Sequence, residues 1–267
     1  MVLRLKTDIA SQDDAESKKA ELTEHLGELR TRIIRAVLYC SIGMVLMYAL
    51  YHPIYQLLAS PMVDTLKKIS MRHPQGFPAG TFVFNSFTEP FFLKLQISMV
   101  GGLVLAVPFV ILELWGFIAP GLTNAERKAI TYVAPMSVVL FVLGVSCAYL
   151  ILPMAVRWFL SFLPDVPNAV LFQNPLTYLV FVMKLLLVFG LLFQLPVVLM
   201  FLGKIGVITS ALMIQYWRQI SVGLFTLAMV MAPSNDPGTM LALAIPLTIL
   251  FFGSIWLVKL VEPKTVV

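Results

Sequence analysis

LKLQISMVGGLVLAVPFVILELWGF, residues 93–117, decides the fold. Its only ionisable groups are Lys94 near one end and Glu113 near the other. A helix rises about 1.5 Å per residue, so this run crosses a hydrocarbon core of roughly 30 Å. Comparable apolar runs lie on either side. Together they predict six spans, at about 33–51, 93–117, 130–152, 178–202, 216–231 and 240–257. The last two are expected to be short. The composition agrees: 59% of residues are hydrophobic, 12% are charged and the mean hydropathy is +0.90. A soluble domain carries about twice that charge. The fold class is therefore an all-α membrane protein with six transmembrane helices. Most of the 267 residues belong to one membrane domain, residues 21–258.

Residues 1–20 are polar, mixed in charge and without periodicity, and read as a mobile cytoplasmic tail. Residues 259–267 form a second short tail. From Glu21, the apolar positions Leu22, Leu26, Leu29 and Ile33 recur at helical spacing, which predicts a short amphipathic helix leading into the first span. No apolar core followed by a cleavage site occurs in the first thirty residues, so the first span is expected to be an uncleaved anchor.

Lysine and arginine set the orientation. Arg30, Arg32, Arg35, Arg127, Lys128, Lys204, Arg218 and Lys259 fall on one side, and Lys67, Lys68, Arg72 and Arg157 on the other. Both termini are then cytoplasmic, and residues 52–92, 153–177 and 233–239 form outside loops. The net charge of +5 suits headgroups rather than nucleic acid, because the polar stretches are too short for a nucleic-acid module. Cys40 and Cys147 sit in apolar runs and read as inert packed thiols.

Pro108, Pro135, Pro196 and Pro246 each remove a helix hydrogen bond and bend a span, favouring a curved bundle. Gln194, near mid-depth beside Pro196, requires a partner on another helix or a wet recess. Lys94 and Lys184 are close enough to the outer border to snorkel, and Glu113 lies one turn from the inner border.

Two carboxylates stand where spans meet the cytoplasm, Glu28 in HLGELRTRI and Glu126 in FIAPGLTNAERK. They suit a cationic ligand arriving from the cytoplasm. Each has a structural alternative at this point. Glu28 and Arg32 are spaced for an i,i+4 ion pair, and Thr123-Asn124-Ala125-Glu126 fits a capping box. Catalytic patterns are missing: His25, His52 and His73 lie on opposite sides of the membrane, and no HExxH, GxSxG or Walker sequence occurs. The sequence implies no enzyme, metal or cofactor. A small-solute transporter would show internal repeats around a polar midplane, and none is evident.

HLGELRTRI, TEPFFLKLQIS (88–98), VPFVILELWGFIAPGLTNAERK (107–128), FGLLFQLPVV (189–198) and SNDPGTMLALAIPL (234–247) together resemble TatC, the multispan component of the twin-arginine protein translocase. The resemblance runs from Glu24 to Pro246. It implies a glove-like concave bundle in the cytoplasmic (inner) membrane with short fifth and sixth helices. It also implies recognition of twin-arginine signal peptides and export of folded proteins driven by the protonmotive force. Implied partners are single-span TatA- and TatB-type proteins, signal peptides of the cargo, membrane lipids and further copies of the chain. Matching positions assign signal-peptide contact to Glu28, Glu126, Arg30 and Phe117. They assign structural roles to Pro61, Phe91 and Asp236. Many members carry glutamate where this chain has Gln194, and an acid in the sixth span where it has Leu250-Phe251-Phe252. If Glu28 and Glu126 bind peptide, they must be reachable and not buried against the chain's own arginines.

Overall fold

The computed structural model describes residues 2–72, 82–162, 173–231 and 237–262; within them, the side chains of residues 2–24, 69–72, 124–126, 128 and 129 lie outside the description. The described elements are helical. They are α1 (Val2–Ala49), α2 (Tyr51–Arg72), α3 (Glu89–Ile118), α4 (Asn124–Leu160), α5 (Pro175–Leu192), α6 (Leu195–Lys204), α7 (Ser210–Gln215), α8 (Trp217–Met231) and α9 (Pro237–Val261). A 3₁₀ turn, Ala119–Gly121, follows α3. Five stretches are long and apolar enough to cross a membrane, and α8 is a shorter apolar helix of 15 residues.

Several sequence expectations need correction. The sixth span is not short, because α9 runs for 25 residues. Pro246 inside it does not end it. Residues 2–20 form the first part of α1, which enters the first span without a break. The segment expected to be the first loop, residues 52–92, is occupied in its first half by a 22-residue helix, α2. Its Leu58, Met62 and Leu66 recur every fourth residue and are all buried. The fourth span is two helices, since α5 stops at Leu192 and α6 starts at Leu195 with Pro196 in its first turn.

Water does not drive helices together in a bilayer, so close packing of small residues matters more there. Gly43 of α1 meets Gly102 of α3, and a methyl on Gly43 would stand 2.5 Å from the Gly102 carbonyl oxygen. Gly144 of α4 lies against the Phe189 carbonyl of α5, and Gly190 of α5 lies under the Phe141 ring. Two larger apolar clusters follow. One joins α2, α3, α4, α5 and α9 around Leu93, Ile97, Leu152, Leu179, Val182 and Leu243. The other joins α3, α4 and α6 around Trp115, Val133, Phe141 and Val197. A third cluster, of Met213, Leu224, Phe251 and Val258, attaches α7 and α8 to α9.

Polar side chains close the ladder where prolines open it. Pro61 has no N–H for the Leu57 carbonyl. That carbonyl instead accepts from the Ser60 hydroxyl and from Tyr149 of α4, each at 3.0 Å. At the same end, residues 82 and 173 form a β-bridge. Glu89 Oε2 there accepts from the Asn85 N–H and from Asn174 Nδ2, each at 2.9 Å. Asn174 Oδ1 in turn accepts from the Leu176 N–H at 2.8 Å, capping α5.

Candidate functional site

The start of the first span and the end of α3 run antiparallel and bring their polar residues together. His25 stacks on Phe117 with ring centroids 4.4 Å apart. Two turns along α1, Arg32 lies between two carboxylates. Its Nη2 and Nε donate to Glu28 Oε1 at 2.6 and 3.1 Å. Its Nη1 donates to Glu113 Oε2 at 3.0 Å and to the Glu113 carbonyl at 3.4 Å. Glu113 Oε1 also receives Tyr39 OH at 3.4 Å, and Arg35 Nη1 lies 3.8 Å from it. Gly116 makes room for this, because the Arg32 guanidinium occupies the place a side chain there would fill.

Glu28 is thus paired with the chain's own arginine, as its i,i+4 spacing allowed. It is not buried: 31% of its side chain is exposed, against 14% for Glu113. The Arg32 bonds go to Oε1, while Oε2 faces His25 Nδ1 at 3.9 Å. Partly solvated pairs of this kind contribute roughly 0–1 kcal/mol, so an arriving guanidinium can compete for Glu28. Arg30 is exposed and Phe117 half-buried on the same end of the bundle. Glu126 is in the first turn of α4, and its side chain lies outside the described residues, as does all of Asp236.

Gln194 has the interhelical partner it required. Its Nε2 donates to the Ser137 carbonyl of α4 at 3.1 Å and to the Gly190 carbonyl at 3.4 Å. The Gln194 N–H bonds Leu191 O at 3.0 Å rather than Gly190 O, so the side chain supplies what the helix break removes. Ser137 also receives Trp115 Nε1 on its hydroxyl at 2.9 Å, which ties α3 into the same node. Pro61 is buried in α2. Phe91 is 66% exposed at the start of α3, edge-on to Phe92. Lys94 sits over the Tyr48 ring at 4.0 Å, a cation–π contact rather than a free snorkelling ammonium.

Sequence reading did not single out Glu113 as the centre of an ion cluster. A usable signal was present: an acid one turn inside an apolar run, opposite Arg32 and Arg35 spaced three apart on the neighbouring span. It also missed the Glu89–Asn174 clamp, which joins segments 85 residues apart.

Long apolar helices with a cluster of ion pairs at one end define a polytopic membrane protein. Residues 24–246 match the family model of the Sec-independent protein translocase protein TatC. A TatC protein of Carboxydothermus hydrogenoformans is 32% identical over 93% of this chain and 97% of its own length. One from Magnetococcus marinus is 34% identical over 92% of this chain and 87% of its own. A chloroplastic TATC of Pisum sativum is 33% identical over 92% of this chain and 65% of its own. A crystal structure of the twin-arginine translocase receptor TatC superposes with a TM-score of 0.70 at 31% identity, covering 89% of this chain and 99% of the other. The same receptor in DDM gives 0.73 at 31% identity, over 88% and 99%. The chain belongs to the TatC family, whose members act in twin-arginine protein translocation.

Proposed function

We propose that this chain is the receptor and core subunit of a twin-arginine translocase. It binds paired-arginine signal peptides and, with TatA- and TatB-type partners, exports folded proteins on the protonmotive force. In this reading the chain is one membrane domain, 21–258, with segments 1–20 and 259–267 and both termini cytoplasmic. The observation that carries the reading is the partly exposed carboxylate of Glu28, 3.9 Å from the His25 ring that stacks on Phe117, at the start of the first span. Glu126, at the start of α4, is the second acceptor, and Arg30 borders the site. A guanidinium gives a carboxylate two parallel charge-assisted bonds, which a lysine ammonium cannot copy. The partly hydrated border keeps desolvation of these ions modest. The apolar part of the signal then lies on a concave face near Gln194, while Pro61, Phe91 and Asp236 shape the outer side.

The test is binding of a synthetic twin-arginine signal peptide to the purified full chain. Glu28→Gln and Glu126→Gln should each weaken binding by about tenfold, or roughly 1.4 kcal/mol. A twin-lysine peptide should bind the unaltered chain more weakly by a similar factor. Undiminished binding to the doubly substituted chain rejects the receptor role.

A further inference from the structure

Arg32 holds two carboxylates that are not equivalent. Glu113 is the more enclosed and has other neighbours, Tyr39 OH at 3.4 Å and Arg35 Nη1 at 3.8 Å. Glu28 is the more exposed and takes both of its described hydrogen bonds from Arg32. The fork is divided accordingly: Nε and Nη2 on Glu28, Nη1 on Glu113. Arg35 is more than half exposed, and its Nη1 stands 3.8 Å from Glu113 Oε1, beyond hydrogen-bond distance.

We propose that Arg32 is a resident counter-ion that an incoming guanidinium displaces from Glu28, and that Glu113 is the positioning residue that keeps Arg32 in place during the exchange. This rests on the receptor role proposed for Glu28. Pulling an arginine off its only partner at a membrane border would strand a charge. Here Nη1 stays on Glu113 while Nε and Nη2 let go, and Arg35 turns to water as Arg32 takes the whole carboxylate. One forked pair on Glu28 is thereby replaced by another. A lysine ammonium brings a single point charge against a two-nitrogen contact, so it competes poorly. Arg32 therefore sets the threshold that separates paired arginine from paired lysine, which makes it a specificity residue rather than a structural one.

Equilibrium binding of twin-arginine and twin-lysine peptides to the full chain tests this. In Arg32→Gln, the preference for arginine over lysine should fall by about three- to tenfold, because twin-lysine binding tightens more. In Glu113→Gln, Arg32 has Glu28 as its principal partner and twin-arginine binding should weaken by about three- to tenfold. That loss should vanish in the Arg32→Gln/Glu113→Gln double variant, since Glu113 acts only through Arg32. An unchanged arginine/lysine ratio in Arg32→Gln, or an equal Glu113→Gln loss with and without Arg32, overturns the proposal. If Arg32→Gln does not fold, Arg32→Lys keeps the charge and should lower the ratio by a smaller factor; no change there also overturns it. Glu28→Gln in the same assay separates the two readings. If it leaves twin-arginine binding intact, Glu28 is not an acceptor and the reading on which the exchange rests fails; if it weakens binding about tenfold while the Arg32 and Glu113 outcomes are absent, only the exchange fails.

Discussion

Gly43 and Gly102 touch backbone to backbone, with the Gly102 carbonyl 2.5 Å from where a methyl on Gly43 would stand. This contact lets α1 lie along α3 closely enough for Arg32 to reach Glu113 further down the same seam. Gly43→Ala should therefore lower thermal stability in detergent, by about 1–3 kcal/mol for forced overpacking. It should also weaken peptide binding by loosening the Arg32–Glu113 contact. Gly27→Ala, where a methyl meets open space, is the matched control. Equal melting of the two variants would refute the close crossing.

Gln194→Leu should cost about 1–3 kcal/mol, because it removes the donor serving the Gly190 carbonyl in a helix break and leaves that group unpaired. Thermal unfolding of the purified chain reads the loss directly. Gln194→Met, which fills similar space without a donor, should behave the same way. If Met restores stability, packing rather than hydrogen bonding is what the position supplies.

At the other end of the bundle, Asn174 both caps α5 and reaches Glu89. Asn174→Ala should destabilise by about 1–2 kcal/mol through the lost cap. Asn174→Ser keeps a capping oxygen but falls short of Glu89, and should recover most of that. A double-mutant cycle with Glu89→Gln isolates the clamp; zero coupling would show that the clamp carries no energy.

Glu262 follows α9 and accepts from the Ser210 N–H at 2.7 Å and its hydroxyl at 2.8 Å, joining α9 to the start of α7. These bonds, aided by Lys259, hold its carboxyl below the usual value. A pKa depressed by folding means the contribution is present above the unfolded pKa and lost as pH falls through the folded one. Melting temperatures measured across roughly pH 3–6 should drop more steeply for the native chain than for Glu262→Gln. Parallel curves would remove the linkage.

The short α8 reaches only about 22 Å, less than a roughly 30 Å core. Since α9 is of full length, any local thinning of the bilayer falls to α8. Inserting four leucines in α8 should impair export, and the same insertion in α9 should matter less. Normal export with a lengthened α8 would dispose of thinning.

Spans were legible because hydropathy over twenty residues is a local property. The boundaries of α3 and α8 lie within a few residues of what the runs at 93–117 and 216–231 indicate. Gln194 was legible as a group needing a partner, since a buried amide has few alternatives. Which carbonyl it serves depends on how α4 and α5 pack, and no local pattern encodes that. α2 was hidden by its prolines, Pro53 and Pro61, and by its polar second half, although Leu58, Met62 and Leu66 carried its period. The Glu28–Arg32 pair followed from spacing alone. Its extension to Glu113 did not, because an 81-residue separation is closed by tertiary packing of α1 on α3, the Gly43–Gly102 crossing included.

Gly116 carries no charge and faces no ligand, yet the Arg32 guanidinium rests in the hollow it leaves. Residue 116 therefore acts as a volume dial on the receptor. Adding one methyl would shove the guanidinium sideways and alter how much negative potential Glu28 shows at that end of the bundle, with every ionisable group left in place. The setting of the Glu28 carboxylate is open to adjustment by a single carbon atom, at a position where a search for charged residues would never look.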